Sequence, residues 1–299
     1  MRVGIIGGGA IGLLAAARLS VKHQVTLFTH KEIQANEINE KGITVIDHCG
    51  KHIFKNLVTT CIEESSCLIP KMDIVLIAVK QTALRELLSY LEKRASAVVF
   101  LQNGMEHFSY LANLQIASIY TGVVEHGAIQ NAANIVHHTG NGLIKIGLYK
   151  GKSVPVIESL NIDGFPVRLI DDIRPIHIEK LIVNSVINPL TSVLQVQNGE
   201  LIKNTYYLRL LETVCREVCH SFLIPDVEHQ VFLDKIIKIC ERTAENTSSM
   251  LRDLQLGRKT EIDAILGYCI REAEKNGKLA PQCKLLFLMV RGLEESEER

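Results

Sequence analysis

The 299-residue chain is 47% apolar and 22% charged, with lysine plus arginine equal to aspartate plus glutamate at 33 each. That length exceeds one ordinary core and points to two domains, while the neutral charge balance gives no electrostatic ground for a nucleic-acid partner or a membrane surface. No apolar run approaches the ~20 residues that span a bilayer. The eight cysteines form no C-x-x-C pair, and the chain starts on a strand rather than a signal segment, so a cytoplasmic enzyme with reduced thiols and a small-molecule substrate is expected.

The first half alternates strand and helix, as a parallel sheet with crossover helices requires. "RVGII" is a buried strand, residues 11–21 an apolar helix, "QVTLF" a second strand and "DIVLIAV" (73–79) a third. An amphipathic helix over 81–93 leads to "SAVVFL". Between 117 and 148, "SIYTGVVEHGAI" and "GLIKIG" predict strands that close the sheet antiparallel. From Ile173 onward the periodicity is helical: 176–196, 199–223, 226–246, 259–276 and 282–297. Pro225 and Pro281 fall near helix starts, and Asn198-Gly199 and Asn276-Gly277 at natural stops. The tail "EESEER" reads as a solvated last turn. The fold class is therefore α/β, an N-terminal Rossmann-type dinucleotide-binding domain (1–170) followed by an all-α helical domain (171–299). An apolar stripe on the terminal helices serves either a homodimer or completion of the bundle.

"GIIGGGAIG" places Gly7, Gly9 and Gly12 in G-x-G-x-x-G register between the first strand and the first helix. Gly7 allows the tight turn, Gly9 lets backbone approach a pyrophosphate, and Gly12 permits close packing of helix on strand. Gly8, Ala10 and Ile11 complete the loop, whose amides at the helix start receive the phosphates. Where an NAD enzyme has an acid at the end of the second strand, this chain reads "LFTHKE". His30 and Lys31 come first and Glu32 lies late, which suits the 2′-phosphate of NADP. Two further segments follow strand ends, where ligands of open α/β sheets bind: "AVKQT" with Lys80, and "LQNGM" with Asn103 and Gly104. Cys215, Cys219 and His220 on one helix, and Asp47, His48, Cys49 and His52 in a turn, match no familiar zinc spacing, and no metal is expected.

"EKLIVNSVINPL" (179–190) carries Lys180, Asn184 and Asn188 at four-residue spacing along a helix that is otherwise apolar. Polar groups on so buried a helix need partners, supplied by the protein or by a ligand. Hydride reduction of a carbonyl leaves an alkoxide, for which Lys180 is a candidate proton donor; the two asparagines can bond the hydroxyl or carboxylate of an oxo acid.

"EKLIVNSVINPLTSVLQVQNGEL" and "TAENTSSMLRDLQLGRKTEIDAILG", with "GGGAIG", "AVKQT", "LQNGM" and the stretch from "EHGA" to "HTGNG", resemble the ketopantoate reductase family along essentially the whole chain. The resemblance implies NADPH-dependent reduction of 2-dehydropantoate to pantoate at a site between the two domains. It implies Lys180 as general acid, with Glu261 supporting catalysis and the substrate hydroxyl. By the same resemblance Asn184, Asn188 and Ser249 contact substrate, Asn103 lies near nicotinamide and substrate, Asn198 lies close to the pocket, and Lys80 binds cofactor. His30 stands where some members carry an arginine for the 2′-phosphate, so NADP preference rests on His30 with Lys31. Two other readings remain: a related NAD(P)-dependent reductase of another branched 2-oxo acid, and a non-catalytic nicotinamide-sensing regulator.

Overall fold

The near-continuous apolar runs of the first half form a parallel sheet in the computed structural model, which describes residues 1–62, 71–91 and 95–297. Two compact units result: Met1–Gln102 with His107–Arg174, and Asn103–Glu106 with Pro175–Arg299. In chain order the first unit comprises β1 (Arg2–Ile6), α1 (Ala10–Leu19), β2 (Gln24–Thr29), α2 (Glu32–Lys41), β3 (Ile43–Asp47), β4 (Gly50–Phe54), β5 (Leu57–Cys61), β6 (Met72–Ile77), α3 (Gln81–Leu91) and β7 (Ala95–Phe100). It continues with α4 (Phe108–Leu111), β8 (Ser118–Val124), β9 (Gly127–Ala132), β10 (Ile135–Gly140), β11 (Ile144–Gly151) and β12 (Val167–Leu169).

The main sheet runs β12-β11-β8-β7-β6-β1-β2-β5. Its six strands from β8 to β5 are parallel, with the order of a doubly wound dinucleotide fold. β1 and β6 lie at its centre, and the side chains of Val3, Ile5, Ile74, Val75 and Ile77 are fully buried, which is why these strands read as unbroken apolar runs. The expected antiparallel closure is confined to β11 on β8; β8 itself joins β7 in parallel. β9 and β10 leave for a second sheet, β4-β3-β10-β9.

That second sheet explains α1. The helix packs against β1 and β2 on one side and β3, β9 and β10 on the other, so Gly12 to Ala17 and Leu19 are all buried. Arg18, near its end, reaches Asp47 at the tip of the β3–β4 hairpin at 2.7 Å, and its guanidinium lies 5.7 Å over the Phe54 ring. Asp47 also accepts from the Cys49 amide, so removing Arg18 takes one of its partners and leaves the carboxylate held, at a cost of about 1–3 kcal/mol.

The second unit is helical: α5 (Arg174–Leu194), α6 (Glu200–Lys203), α7 (Thr205–Ser221), α8 (Asp226–Arg242), α9 (Ser249–Gln255), a π-helical turn at Asp263–Gly267, α10 (Tyr268–Lys275) and α11 (Pro281–Glu297). The expected single helix over 199–223 breaks at Asn204, whose side chain accepts from the amides of Tyr206 and Tyr207 and so caps α7. The expected helix over 259–276 starts late, because Thr260 Oγ1 accepts from the Ile262 amide before the first turn. Pro281 opens α11, where Glu217 on α7 accepts from the Gln282 and Cys283 amides. The core holds Leu181, Ile182, Val186, Leu211, Val218, Ile236, Ile262 and Val290, together with Cys215, Cys219, Cys240, Cys269 and Cys283. The seven described cysteines are free thiols, and burial pushes that of Cys269 up to about 12. Among the described residues no helix is long and apolar enough to cross a membrane. The predicted end of the 81–93 helix and the last two residues of the charged tail lie outside the described residues.

Candidate active site

The loop after β1 owes its shape to three glycines. Gly7 has φ +121°, and a Cβ there would stand 2.8 Å from the Ala78 carbonyl and 2.9 Å from the Val79 amide. A Cβ on Gly12 would collide with the Gly7 carbonyl oxygen, so helix and strand pack only without one. Gly9 faces open space, with no atom within 4 Å of an ideal Cβ. It precedes Ala10 as the N-cap of α1, and no side chain caps this helix. The first-turn amides around Ala10 and Ile11 are thus at the positive helix end beside an open approach, and the cradle fits a pyrophosphate.

Two glutamines hold this loop from a distance. Gln34 Nε2 on α2 and Gln130 Nε2 on β9 both donate to the Gly8 carbonyl, at 2.7 and 3.0 Å. Sequence spacing offered no signal for either. At the end of β2, Thr29 is buried while His30, Lys31 and Glu32 are exposed. Lys31 is the N-cap of α2 and Glu32 its first residue, so the acid belongs to the helix start and the strand end presents two basic side chains. Lys80 follows β6 and is exposed. Gln102 Nε2, donating to the Ile77 and Val79 carbonyls, ties the end of β7 to that of β6.

Residues 103–106 follow β7 in sequence but belong to the second unit. Asn103 Nδ2 donates to Glu261 Oε2 at 3.1 Å, Gly104 adopts φ +76° against the Ala264 backbone, and Glu106 pairs with Arg271. Glu261 stands just before the π-helical turn, and its carbonyl accepts from the amides of Ala264 and Ile265. Widened turns of this kind occur frequently at functional sites. Asn103 therefore holds the orientation of the Glu261 carboxylate.

On α5, Lys180 and Asn184 are half-buried and Asn188 is 7% exposed. Among the described residues nothing hydrogen-bonds the side-chain amide of Asn184 or Asn188. Pro189 sits inside the helix directly after Asn188, so the Ser185 carbonyl lacks its helical donor at this level. His177, one turn before Lys180, is buried. Burial first, and the Lys180 charge second, push its pKa down to about 3, so it stays neutral and adds no positive charge beside the lysine.

Ser249 is the exposed first residue of α9. Its neighbour Ser248 is the N-cap, accepting from the Leu251 amide at 3.2 Å and from Thr191 Oγ1 on α5 at 2.7 Å. This link fixes α9 to the polar helix, and sequence reasoning missed it. Asn198 is buried; its Nδ2 donates to Thr243 Oγ1 at 2.9 Å and its Oδ1 has no partner among the described residues. The two candidate metal clusters are resolved differently. Asp47 is committed to Arg18 and to the Cys49 amide. Cys215 and Cys219 stay in the core while His220 turns to Asp226.

Residues 3–151 match the family described as Ketopantoate reductase PanE/ApbA, and residues 172–294 match Ketopantoate reductase PanE/ApbA C terminal. The chain belongs to the ketopantoate reductase family. It is 36% identical to 2-dehydropantoate 2-reductase of Bacillus subtilis (strain 168), covering 100% of this chain and 99% of that one. It is 37% identical to 2-dehydropantoate 2-reductase of Listeria innocua serovar 6a, covering 98% and 97%. The crystal structure of a probable 2-dehydropantoate 2-reductase from Bacillus subtilis superposes with a TM-score of 0.86 at 35% identity, over 98% of this chain and 100% of that one. The fold is also shared with D-mandelate dehydrogenase, solved with NADH and anilino(oxo)acetate, at a TM-score of 0.90 and 23% identity over the full length of both. Within this ketopantoate reductase fold the glycine loop lies in the first unit, and Asn103, Lys180, Asn184, Asn188 and Glu261 lie in the second.

Proposed function

We propose that this chain catalyses the NADPH-dependent reduction of 2-dehydropantoate to (R)-pantoate, a step of pantothenate and coenzyme A biosynthesis. Residues 1–170 hold the dinucleotide and residues 171–299 the oxo acid. The observation that carries the reading is the row on α5: a lysine followed by two amides that no described residue hydrogen-bonds. An amide as covered as Asn188 stands on this helix at a cost unless a polar ligand completes it. The identity of the ligand is supported by the full-length likeness to the Bacillus and Listeria enzymes.

When bound, the nicotinamide supplies a hydride to the 2-oxo carbon. Lys180 Nζ gives a proton to the carbonyl oxygen as negative charge develops there, so hydride and proton together convert the carbonyl to a secondary alcohol. Asn184 and Asn188 orient the substrate through its hydroxyl and carboxylate, and Ser249 adds a hydroxyl toward the carboxylate. Glu261, held by Asn103, accepts from the substrate hydroxyl. Asn198 contributes a polar edge near the pocket. For the dinucleotide, the loop from Gly7 through Gly8, Gly9, Ala10 and Ile11 to Gly12 takes the pyrophosphate, His30 and Lys31 the 2′-phosphate, and Lys80 and Asn103 the remaining polar contacts. A homodimer belongs to the same proposal: Leu285, Leu288 and Met289 stand exposed on α11 as an apolar face for a second copy.

Steady-state oxidation of NADPH and of NADH, measured with 2-dehydropantoate and with a panel of other branched and aromatic 2-oxo acids, tests the reading. The highest kcat/KM is expected for 2-dehydropantoate with NADPH. A higher value for another oxo acid transfers the assignment to that substrate. Equal values with the two cofactors remove His30 and Lys31 as readers of the 2′-phosphate.

A further inference from the structure

Outside the proposed active site, three potential metal-ligating side chains meet where α7 hands over to α8. His220 Nε2 lies 2.9 Å from Asp226 Oδ1, and His229 Nδ1 lies 3.6 Å from the same oxygen. The two imidazoles meet edge to face with centroids 4.8 Å apart, and one donor atom from each of the three residues lies within 4.8 Å of the other two. A zinc ion bound at its usual 2.0–2.1 Å holds tetrahedral ligand atoms about 3.3 Å apart, a value that the two measured separations bracket.

The tautomer of His229 decides what this cluster wants. Its Nε2 lies 2.9 Å from the carbonyl oxygen of Ile224, which can only accept, so Nε2 carries the hydrogen. In the neutral ring Nδ1 is then a bare lone pair, and it points at a carboxylate oxygen that also has only lone pairs to offer. These two acceptors lie 3.6 Å apart with a second imidazole nitrogen 2.9 Å from the same oxygen, a donor set that a cation can occupy. A histidine whose remote N–H is held by a backbone carbonyl while its other nitrogen faces the cluster is the arrangement found around bound metals.

The backbone sets this geometry without help from an ion. The Leu223 amide donates to the His220 carbonyl and the Ile224 amide to the Cys219 carbonyl, both at 3.1 Å. Leu223 adopts φ +56° between them. This pair of bonds closes the C-terminus of α7, and Pro225 then starts α8 as its N-cap. The ligands thus come from two helices joined by a short, hydrogen-bonded turn. His229 is mostly covered, with 12% of its side chain exposed, while Asp226 at 83% leaves the remaining coordination positions open to water.

We propose that His220, Asp226 and His229 form a site for one divalent transition-metal ion, zinc by the chemistry of its ligands, that staples the α7–α8 turn. Two imidazoles and one carboxylate suit zinc better than the all-oxygen sets that magnesium and calcium require. The sulfur donors Cys215 and Cys219 are core groups and take no part. The site serves the helical unit's stability and contributes no group to the proposed reduction.

Calorimetric titration of the EDTA-treated full chain with zinc chloride tests the assignment alongside His229→Gln and Asp226→Asn. His220 and Asp226 reach solvent, and a glutamine at the more covered position 229 keeps an amide able to donate to the Ile224 carbonyl, so both variants are expected to keep the fold, checked by circular dichroism. One equivalent of zinc is expected to bind saturably, each substitution weakening it by about tenfold or more, and zinc is expected to raise the thermal midpoint of the wild type more than that of either variant. Absence of saturable binding, or affinity unchanged in either variant, overturns the proposal; the latter places the ion elsewhere.

Discussion

Replacing Asn188 by leucine separates what the protein needs from what its ligand needs. Asn188 is 7% exposed in the helix that carries Lys180, and no described residue hydrogen-bonds its side-chain amide. Its amide atoms are not among the fully buried polar atoms that lack a partner, so leaving it without one costs the low end of about 1–3 kcal/mol. Leucine has nearly the same volume and removes that cost, so Asn188→Leu is expected to stabilise the ligand-free protein by about 1 kcal/mol, a rise in Tm of roughly 2–4 °C. Asn188→Ala, which opens a cavity instead, is expected to lower the midpoint. In the reaction the same leucine leaves a charged or hydroxyl group of the substrate without its donor, a loss of about 1.5–3 kcal/mol, or roughly 10–150-fold in kcat/KM. Thermal unfolding without ligand and steady-state kinetics on the purified variant read both quantities. A lower midpoint for Asn188→Leu would show that the amide is held by the protein, and an unchanged kcat/KM would show that no substrate touches it; either result refutes the ligand-completed helix.

Gly12→Ala puts a methyl group into the Gly7 carbonyl oxygen. Dinucleotide affinity, followed by fluorescence titration, is expected to fall by at least about tenfold, with a loss of stability of about 1–3 kcal/mol from overpacking; wild-type affinity would mean that the loop shifts freely. Stability should also fall with acid through two buried histidines. Burial first, and then the charge of His138, push His126 down to about 4, while burial and Lys180 push His177 to about 3. Both folded values lie below the unfolded value near 6.5, so below that pH the unfolded chain binds more protons than the folded one. The contribution is complete above about pH 6.5 and shrinks as pH drops toward 4, by about 1.4 kcal/mol per unit for each histidine. Urea midpoints at several pH values check this slope; His126→Gln should flatten it, and a slope that is absent in the wild type would show that these rings protonate without unfolding.

What the sequence revealed follows the range of the interactions involved. The glycine loop and the strands beside it are local patterns, because three glycines within six positions and four consecutive buried residues need no distant partner to be recognised. The same holds for Lys180, Asn184 and Asn188, which stand out against their own apolar helix. Helix α2 escaped because only Ala35 and Ile38 of its ten residues are buried, and β4 because none of its residues is; neither carries a periodic apolar signal. The second sheet joins β3 to β10 across some 90 residues, and no spacing rule reaches that far. The Asn103–Glu261 bond spans 158 residues and the Gln130–Gly8 bond 122, so these supports of the candidate site are products of the fold. The break at Asn204 was readable in principle, since an asparagine before a helical run is a capping signal. Unbroken apolar periodicity on both sides of it outweighed that cue.

The proton donor is the central claim, and kcat with NADPH and 2-dehydropantoate in Lys180→Ala tests it most directly, with dinucleotide affinity and the circular dichroism of the variant measured alongside. The expected result is a fall in kcat of about 10²–10⁴-fold, the usual contribution of a positioned general acid, with fold and dinucleotide affinity unchanged. A kcat within about tenfold of the wild type would contradict the assignment and take the proton transfer away from α5.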